Sequence, residues 1–420
     1  MNTFVLVDCN NFYVSCERLF NPALENRPVL VLSSNDGCVV ARSQEVKQLG
    51  IKMGEPFFKI KDLCRAHDIL VFSSNYQLYG NLSQRVMHLL SEAAEDIQIY
   101  SIDEAFLTFA NMPPEQLVRF SIEMRRNIKQ CVGIPTSIGI APTKTLAKIA
   151  NDLAKKDRSY GIFDICEKEV QDQILKDFAV EKIWGIGTQL MKKLHAMGIY
   201  TAEELRQQDP VMIRKKMGVY GERILWELRG ISCLQLEEAQ PKKSITCSRS
   251  FGAVITSKSE IAEAVATHVD SACRKLRDQQ CAAQAISVYL EALIDSKTNV
   301  RQTFNTTLPF PIPTNDTPYI ISLAKRGVNA LFHQGMRYKK CGVILLDFTP
   351  EQLVIPDLLL GSIDPKRRHL ADTLDALNAH FGKNTVFYGA MGINSAWAAR
   401  SANRSDKYTS DWGSLAIAKA

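Results

Sequence analysis

The chain has 420 residues, of which 46% are hydrophobic, and a formal net charge of +6. This composition is typical of a globular protein and excludes a disordered or fibrous chain, and the length predicts two to four domains. The 51 basic residues only slightly exceed the 45 acidic ones, so the charge permits a nucleic-acid partner without requiring one.

Eleven cysteines are scattered along the chain with no Cys-x-x-Cys pair. This pattern predicts reduced thiols rather than a disulfide framework or a zinc site. The chain has no apolar run of about 18 residues and no basic region at its start, so we expect neither a membrane span nor a signal peptide. These features favour a cytoplasmic protein.

Strands and helices alternate over the first 165 residues. The apolar run 4–7 predicts a buried strand ending at Asp8, and the turn Asp36-Gly37 joins two further predicted strands, 28–32 and 38–40. The stretch 98–109 is predicted to be a hairpin or a strand with a kink at Asp103-Glu104, and 136–141 is a further predicted strand. Helical spacing predicts helices over 43–49, 78–94, 117–132 and 143–154. This order indicates an α+β fold with a mixed or antiparallel sheet and helices on one face of it.

The pattern changes after residue 164. Residues 167–230 indicate short helices with Gly breaks, and the polar stretch 232–243 is a predicted linker. Mixed strand and helix return over 245–348, with strands at 286–293 and 343–348 and helices at 258–278 and 318–335. Beyond Pro350 the chain is a tail richer in Ala, Ser and Asn.

Three carboxylates stand at the polar ends of predicted strands: Asp8, Asp103 and Glu104. Neighbouring strands would bring them together, and gathered carboxylates need compensating charge. A pair of magnesium ions would supply it and would suit phosphoryl transfer. The alternative is that Asp8 ends a strand at a turn and that Asp103 and Glu104 form a solvated turn.

Basic residues lie near these carboxylates in the predicted fold. Lys47 falls late in a helix, and Lys144 and Lys148 are four residues apart on one helical face. Such lysines would neutralise a triphosphate if they faced the metal site, whereas the alternative is an ordinary solvated face. Asn11, Phe12 and Tyr13 follow Asp8 and offer backbone N–H groups and aromatic rings, which are equally suited to the core or to a substrate wall.

Together these residues resemble the Y-family translesion DNA polymerases, and in particular the UmuC-type catalytic subunit of the SOS mutagenic polymerase. The resemblance extends in order from the first strand to about residue 350. The stretches that carry it are Asp8-Cys9-Asn10-Asn11-Phe12-Tyr13, Ala41-Arg42 with Glu45 and Lys47, Ser101-Ile102-Asp103-Glu104, Ser137-Ile138-Gly139-Ile140, Lys144-Thr145-Leu146-Ala147-Lys148, Trp184-Gly185-Ile186-Gly187 and Cys247-Ser248-Arg249-Ser250-Phe251-Gly252.

The resemblance implies a role for each matching residue. Asp8, Asp103, Glu104 and the backbone carbonyl of Cys9 would bind two Mg²⁺ ions, and Tyr13 would be the steric gate against a ribose 2′-OH. The implied triphosphate contacts are Lys47, Lys148 and the backbone of Asn11 and Phe12. The chain departs from the common family pattern Tyr-Glu-Ala-Arg, because it has Gln44-Glu45-Val46-Lys47. A tyrosine hydroxyl is missing, and lysine replaces a bidentate arginine.

The resemblance also divides the chain into functional domains. A right-hand polymerase would have its palm at 1–12 and 76–165, its fingers at 13–75, a helix-hairpin-helix thumb at 166–231, a linker at 232–243, a βα-rich little finger at 244–350 and a C-terminal partner-binding tail at 351–420. Predicted DNA contacts are Gly185, Gly187, Lys192, Lys193, Arg249, Lys339 and Lys340.

The tail carries the predicted partner contacts. Gln352 and Leu353 stand where UmuC-type chains have a sliding-clamp peptide, although Pro356 replaces its final aromatic residue. By resemblance, the tail would also bind the RecA filament and a cleaved UmuD-type dimer.

The sequence therefore predicts error-prone, template-directed DNA synthesis across damaged bases in the SOS response, by a nucleoid-associated enzyme that joins a dNTP to a primer 3′-OH. Two alternatives stay open: another two-metal enzyme, such as a nuclease or a nucleotidyl cyclase, and a DNA-binding scaffold without catalysis.

Overall fold

The computed structural model describes residues 2–156, 161–234, 242–295, 300–355, 365–382, 384–393, 397 and 401–414. Within these residues the strands are β1 (Asn2–Cys9), β2 (Val29–Leu32), β3 (Val39–Arg42), β4 (Leu70–Ser73), β5 (Asp96–Ile99), β6 (Glu104–Ala110), β7 (Thr136–Ala141), β8 (Ile162–Asp164), β9 (Ser244–Ile255), β10 (Cys281–Asp295), β11 (Val300–Thr314) and β12 (Arg337–Pro350). The helices are α1 (Phe12–Phe20), α2 (Gln44–Gln48), α3 (Phe57–Ala66), α4 (Tyr76–Ala93), α5 (Pro114–Cys131), α6 (Lys144–Ala154), α7 (Lys168–Asp177), α8 (Thr188–His195), α9 (Ala202–Arg206), α10 (Pro210–Leu228), α11 (Lys258–Asp278), α12 (Thr317–Leu331) and α13 (Pro365–Phe381). The chain divides into two compact units, one formed by residues 1–238 with 402–420 and the other by residues 239–401.

The first unit is built on a five-stranded sheet in the order β5-β6-β1-β7-β8. Its central strand β1 is antiparallel to both β6 and β7. Val5 and Val7 pack on α4 and α5, whereas Phe4 and Leu6 pack on α6 and the helices that follow it. Helices therefore cover both faces of the sheet, and the expectation of helices on one face is wrong. Because both faces of β1 are buried, its sequence is a continuous apolar run rather than an alternating one.

Gly139 allows α6 to lie directly on the sheet. A Cβ atom there would be 2.3 Å from the carbonyl oxygen of Ala147 and 2.4 Å from the amide nitrogen of Asn151, both of which belong to α6. Helix and strand would have to separate to admit it. The glycine therefore fixes the position of the helix that carries Lys148.

We expect Gly139→Ala to destabilise the first unit by about 3 kcal/mol because of this overlap. Urea unfolding would measure the loss. Gly80→Ala in α4 is the matched control, since nothing lies within 4 Å of its added Cβ, and it should be neutral or stabilising by up to about 1 kcal/mol. Equal stability of Gly139→Ala and the parent would contradict the close approach of α6.

A smaller sheet in the same unit has the order β3-β2-β4. Strands β2 and β3 are antiparallel, whereas β2 and β4 are parallel. Leu30, Leu32, Val46 and Ile60 form its buried core with α2 and α3. This sheet supports α2, which places Lys47 opposite the end of β1.

Residues 168–228 form the short helices α7 to α9 and the longer α10, which is interrupted at Gly218 with φ 76°, in agreement with the predicted Gly breaks. Their apolar side chains join the core on the α6 side of the large sheet. The buried carboxylate of Glu227 accepts hydrogen bonds from the backbone N–H groups of Thr145 at 3.0 Å and Cys233 at 2.7 Å. A carboxylate at the N-terminus of α6 is favourable for the helix dipole, so it ties this helical part to α6.

The second unit has an antiparallel sheet in the order β11-β10-β12-β9. Helices α11 and α12 pack on the sheet through buried side chains such as Val265, Val269 and Val328. Helix α13 is attached by an ion pair of 2.7 Å between Asp375 and the buried guanidinium of Arg277. Met391 and Trp397 join the same core.

The α+β fold class is confirmed, and so are most of the predicted elements. The stretch predicted at 98–109 is a hairpin of β5 and β6, with Asp103 in the turn and Glu104 at the start of β6. The helix predicted over 318–335 ends at Leu331, before Gly335. Most of the predicted linker, residues 235–241, lies outside the described residues. The tail contains α13 and contributes to both units.

Candidate active site

Three carboxylates meet at one end of the large sheet. Asp8 on β1 pairs directly with Glu104 on β6 in the antiparallel register. The amide nitrogen of Cys9 donates to the carbonyl oxygen of Asp103 at 2.9 Å, which holds the turn beside the end of β1. These residues lie together because β1 ends, and the neighbouring antiparallel β6 begins, with polar residues at the same edge of the sheet.

Lys148 on α6 and Lys155 at its C-cap neutralise this group. Lys155 Nζ lies 2.7 Å from Asp8 Oδ2, and Lys148 Nζ lies 2.8 Å from both carboxylate oxygens of Glu104. Burial raises the pKa of Asp8 to about 7, against the opposing effect of Lys155. Burial also acts to raise the pKa of Glu104, but the hydrogen bond with Asp8 and the contact with Lys148 lower it overall.

The donor chemistry of this cluster fits a divalent cation. Its donors are carboxylate oxygens, which hard cations such as Mg²⁺ prefer. Asp8 is buried, and a buried carboxylate needs a compensating cation. Within the described residues, no three Asp, Glu, His or Cys side chains are already arranged as a metal centre. The lysine contacts occupy the carboxylate oxygens that a cation would use.

A cavity of about 880 Å³ opens beside the carboxylates. Asp8, Asp103, Tyr13 and Lys47 all line it, although their elements come from both sheets of the first unit. Its further lining residues include Cys9, Asn11, Phe12, Arg42, Gln44, Tyr76, Lys155 and Lys156. The cavity thus combines carboxylates, cations and aromatic rings.

Lys47, Arg42 and Lys155 line the same cavity, and their positive charges repel one another. Lys47 Nζ donates to Asn11 Oδ1 at 2.6 Å. Burial, followed by the positive charges of Arg42 and Lys155, lowers the pKa of Lys47. A polyanion would relieve this repulsion, so the cavity is suited to a triphosphate.

Tyr13 forms an aromatic wall of the cavity. Its ring stacks on Tyr79 with centroids 4.3 Å apart and an interplanar angle of 15°. Tyr76 meets it edge-on at 6.1 Å. The ring is therefore held from behind by α4 while its other side faces the cavity.

The structure separates the two lysines that sequence spacing placed together. Lys144 is buried and donates to Gln98 Oε1 at 2.6 Å, and it does not line the cavity. Lys148 contacts Glu104 and lies over the Tyr100 ring at 4.5 Å. For Lys144 neither alternative from the sequence, a lysine facing the metal site or a solvated face, describes the structure, because the start of α6 is packed against the hairpin of β5 and β6.

Sequence reasoning missed Lys155, which both lines the cavity and contacts Asp8. It lies seven residues after Lys148, which is two helical turns along the same face of α6. This seven-residue spacing from Lys148 could have identified Lys155 from the sequence. Arg42, Gln44 and Tyr76 were also missed as cavity residues, because only tertiary packing brings β3, α2 and α4 to this point.

We expect Lys155→Ala to lower kcat/KM for nucleotide incorporation by about 10- to 100-fold, because hydrogen bonds to charged groups contribute about 1.5–3 kcal/mol. The change should appear mainly in KM if Lys155 helps to bind the triphosphate. Lys61→Ala is the control, since Lys61 is exposed on α3. Steady-state insertion kinetics would measure both, and an unchanged KM would contradict this role.

The predicted DNA contacts lie in separate places. Gly185, with φ +89°, and Gly187 form the turn before α8, which carries Lys192 and Lys193. The element before this turn is a single 3-10 turn at Val180–Lys182 rather than a regular helix. In the second unit, Lys340 pairs with Ser250 and its ammonium lies over the Tyr289 ring at 5.8 Å.

Arg249 and Lys339 differ from Lys340 in position. Arg249 on β9 is exposed, and its charge helps to lower the pKa of His268 on α11, after the larger effect of burial. It therefore lies towards the helices that cover the sheet. Lys339 is half-buried on β12. The three basic residues do not form one cluster on a single face.

The predicted clamp peptide lies at the end of β12. Gln352 and Leu353 belong to a 3-10 turn, Glu351–Leu353, and the Leu353 side chain is exposed. Ile355 is also exposed, whereas Pro356 lies outside the described residues.

Known proteins and protein families match this chain over nearly its whole length. The model of the impB/mucB/samB family matches residues 7–152, and the model of that family's C-terminal domain matches residues 242–358. A domain of unknown function, DUF4113, matches residues 368–418. Protein ImpB of Salmonella typhimurium is 38% identical and covers 99% of both chains. Protein UmuC of Salmonella typhimurium strain LT2 is 39% identical over 98% of this chain and 99% of that protein.

More distant comparisons agree with these. DNA polymerase IV of Brucella melitensis is 27% identical over 91% of this chain and 84% of that protein. The solved Y-family DNA polymerase chimera Dbh-Dpo4(243-245)-Dbh superimposes with a TM-score of 0.65 at 22% identity, covering 82% of this chain and 98% of the chimera. This second likeness establishes the fold.

The fold and the sequence relatives define a Y-family DNA polymerase, an enzyme of template-directed synthesis across damaged DNA. The chain belongs to the impB/mucB/samB family. Membership implies binding of DNA and deoxynucleoside triphosphates, and the use of divalent metal ions. No described helix is long and apolar enough to span a membrane, and all eleven cysteines are free thiols, as predicted.

Proposed function

We propose that the cavity beside Asp8 and Asp103 is the site at which a dNTP is joined to a primer 3′-OH. The single observation that carries this proposal is the convergence of carboxylates, cations and an aromatic wall on one cavity. Carboxylates alone would suit many metal enzymes, but the added cations suit a triphosphate and the ring suits a sugar.

Asp8, Asp103, Glu104 and the backbone carbonyl of Cys9 would hold two Mg²⁺ ions. Such ions, when bound, lower the pKa of an attacking hydroxyl and stabilise charge on the leaving pyrophosphate. Lys148 and Lys155 balance the carboxylates in their absence. Lys148 and Lys155 would then be available to contact the phosphates.

Lys47, Arg42 and the N-terminal turn of α1 would orient the triphosphate. Asn11 has left-handed backbone angles, φ 46° and ψ 46°, at the start of α1, and helix N-termini favour anions. Because Lys47 donates to Asn11, one contact joins the two elements that would bind phosphate. Lysine at this position contributes a point charge rather than a bidentate fork.

Tyr13 would exclude ribonucleotides. A ring packed against the sugar C2′ leaves no space for a hydroxyl, and Tyr79 prevents the ring from moving back. This role is what distinguishes a DNA polymerase from a nuclease or a cyclase built on the same carboxylates.

The structural elements would serve the expected polymerase domains. The five-stranded sheet is the proposed palm, the three-stranded sheet with α2 and α3 the fingers, and α7 to α10 the thumb. The proposed little finger is the four-stranded sheet with α11 and α12. Gly185 and Gly187 leave backbone N–H groups accessible to phosphate, and Lys192, Lys193, Arg249, Lys339 and Lys340 would add charge without reading sequence.

The physiological setting is also proposed. We place the enzyme at the nucleoid during the SOS response, with a cleaved UmuD-type dimer and a RecA filament as partners. The exposed Leu353 and Ile355 would offer apolar anchors to a sliding clamp.

Primer extension would test the proposed function. The full chain is incubated with Mg²⁺, dNTPs and either an undamaged or an abasic template, with and without the UmuD-type dimer and an activated RecA filament. We expect Mg²⁺-dependent extension past the abasic site. Failure to extend with every partner present would favour the scaffold alternative.

A further inference from the structure

Residues 402–408, here called the gate-support segment, belong to the first unit and contact β4, α1 and the start of α4. The amide nitrogen of Ser73 on β4 donates to the carbonyl oxygen of Asn403 at 2.9 Å, and the amide of Asn403 donates to Ser73 Oγ at 3.0 Å. At the other end, the Tyr408 ring stacks on Phe20 of α1 with centroids 4.7 Å apart and an angle of 3°. The segment is therefore fixed at both ends, and α1 is the helix that carries Tyr13.

The gate-support segment also contacts the start of α4 through Asn75. Asn75 Oδ1 accepts from the amide of Leu78 at 3.4 Å as the N-cap of this helix. Its Nδ2 donates to Ser405 Oγ at 3.0 Å and to the carbonyl oxygen of Asp406 at 3.1 Å. One side chain thus caps α4 and binds the segment. Helix α4 is also the source of Tyr79.

A buried carboxylate connects the segment to the aromatic stack. Glu17 is 1% exposed, and its Oε1 accepts from Tyr79 Oη at 2.6 Å and from Ser405 Oγ at 3.1 Å. A buried carboxylate depends on such donors. Since Tyr79 stacks on Tyr13, three successive contacts join Ser405 to the gate ring.

Steric exclusion requires the excluding ring to be held in place. If Ser405 is removed, Glu17 loses one of its two donors and Asn75 loses a partner, so Tyr79 is less firmly fixed. The ring of Tyr13 can then move back when a 2′-hydroxyl enters. Such a change would relax the sugar preference more than it lowers dNTP insertion.

We propose that the gate-support segment positions the sugar gate, with Ser405 as a positioning residue that acts through Glu17 and Tyr79. The proposal rests on the proposed function, in which Tyr13 excludes ribonucleotides. It gives a role to part of the domain of unknown function that matches residues 368–418.

Single-nucleotide insertion, measured for the full chain and two truncated proteins, would test the proposal. They are the full chain, a protein ending at Ser401, and a control ending at Ser410, which keeps every contact of the segment. We expect the preference for dNTP over rNTP, as the ratio of kcat/KM values, to fall about 3- to 10-fold in the shorter protein, a change equivalent to one hydrogen bond. The control should retain the preference of the full chain.

Point variants keep the test decisive if the shorter protein fails to fold. Ser405→Ala should reduce the sugar preference, and Ser405→Thr should restore it, because threonine keeps the hydroxyl. A merely structural effect would lower dNTP and rNTP insertion equally. An equal reduction, or an unchanged preference in Ser405→Ala, would overturn the proposal.

Amide hydrogen exchange separates this proposal from the proposed function. Exchange over 76–82 should be faster in Ser405→Ala than in Ser405→Thr, whatever the catalytic activity. If the full chain shows no Mg²⁺-dependent synthesis but this difference appears, then the polymerase assignment fails while the positioning contact stands. Identical exchange in both variants would refute the contact itself.

Discussion

Asp103→Ala should reduce primer extension by more than about 10³-fold. Asp103 lines the cavity next to Asp8, and its carboxylate would hold the ions that stabilise transition-state charge, a contribution that is among the largest in phosphoryl transfer. Because Asp103 lies in a turn and is only partly buried, its replacement should leave the fold intact. Primer extension on undamaged and abasic templates would measure the loss.

Asp62→Ala is the matched control for this experiment. The Asp62 side chain is 97% exposed on α3, so its replacement should leave extension unchanged. Equal extension by Asp103→Ala and the parent would indicate either a contaminating polymerase or a different metal site. Thermal unfolding of both variants would verify that the loss is not one of folding.

Tyr13→Ala should permit ribonucleotide incorporation and lower the preference for dNTP over rNTP by about 10- to 100-fold. The physical reason is that forcing extra atoms into a packed site costs about 1–3 kcal/mol, and the ring that imposes this cost would be gone. Insertion kinetics with dNTP and rNTP on the same primer would measure the two kcat/KM values.

Phe58→Ala provides the aromatic control, since Phe58 on α3 is exposed and does not line the cavity. It should keep the sugar preference of the parent. An unchanged preference in Tyr13→Ala would favour a two-metal enzyme without a sugar gate. Together with Asp103→Ala, this variant separates the chemistry of the site from its substrate selection.

Tyr13→Ala also calibrates the loss of sugar preference expected of Ser405→Ala. Tyr13→Ala sets the upper limit of any relaxation, because it removes the ring itself. Ser405→Ala should give a smaller effect in the same direction, because it leaves the ring present but less firmly held. An effect of Ser405→Ala in the Tyr13→Ala background would indicate a route that does not pass through the gate.

The sequence alone determined the main secondary structure and the carboxylate cluster. A continuous apolar run predicts a buried strand, and β1 is one. Helix α11 begins and ends at the predicted residues, since Ser257 caps its start and apolar spacing continues to its end. Asp8 and Glu104 meet because polar residues end adjacent strands, a signal that is local in each strand.

Only the tertiary structure decided which cations face which carboxylates. Lys144 and Lys148 share a helical face, yet the first is buried beside Gln98 and the second pairs with Glu104. Lys155 reaches Asp8 because Gly139 allows α6 to lie close to the sheet along its length. Spacing gives the face of a helix, but not the surface against which that face is packed.

The contacts of the tail are the ones that the sequence predicts least. Its composition predicts neither the ion pair between Arg277 and Asp375 nor the contact of Ser405 with Glu17, which join residues 98 and 388 positions apart. Such contacts depend on where the whole chain returns, and no local periodicity records them. The sequence therefore determined which chemical groups lie at the cavity. Only the fold decided that Ser405 supports Tyr13 through Glu17, because a buried carboxylate takes its hydrogen-bond donors from whichever segment packs beside it.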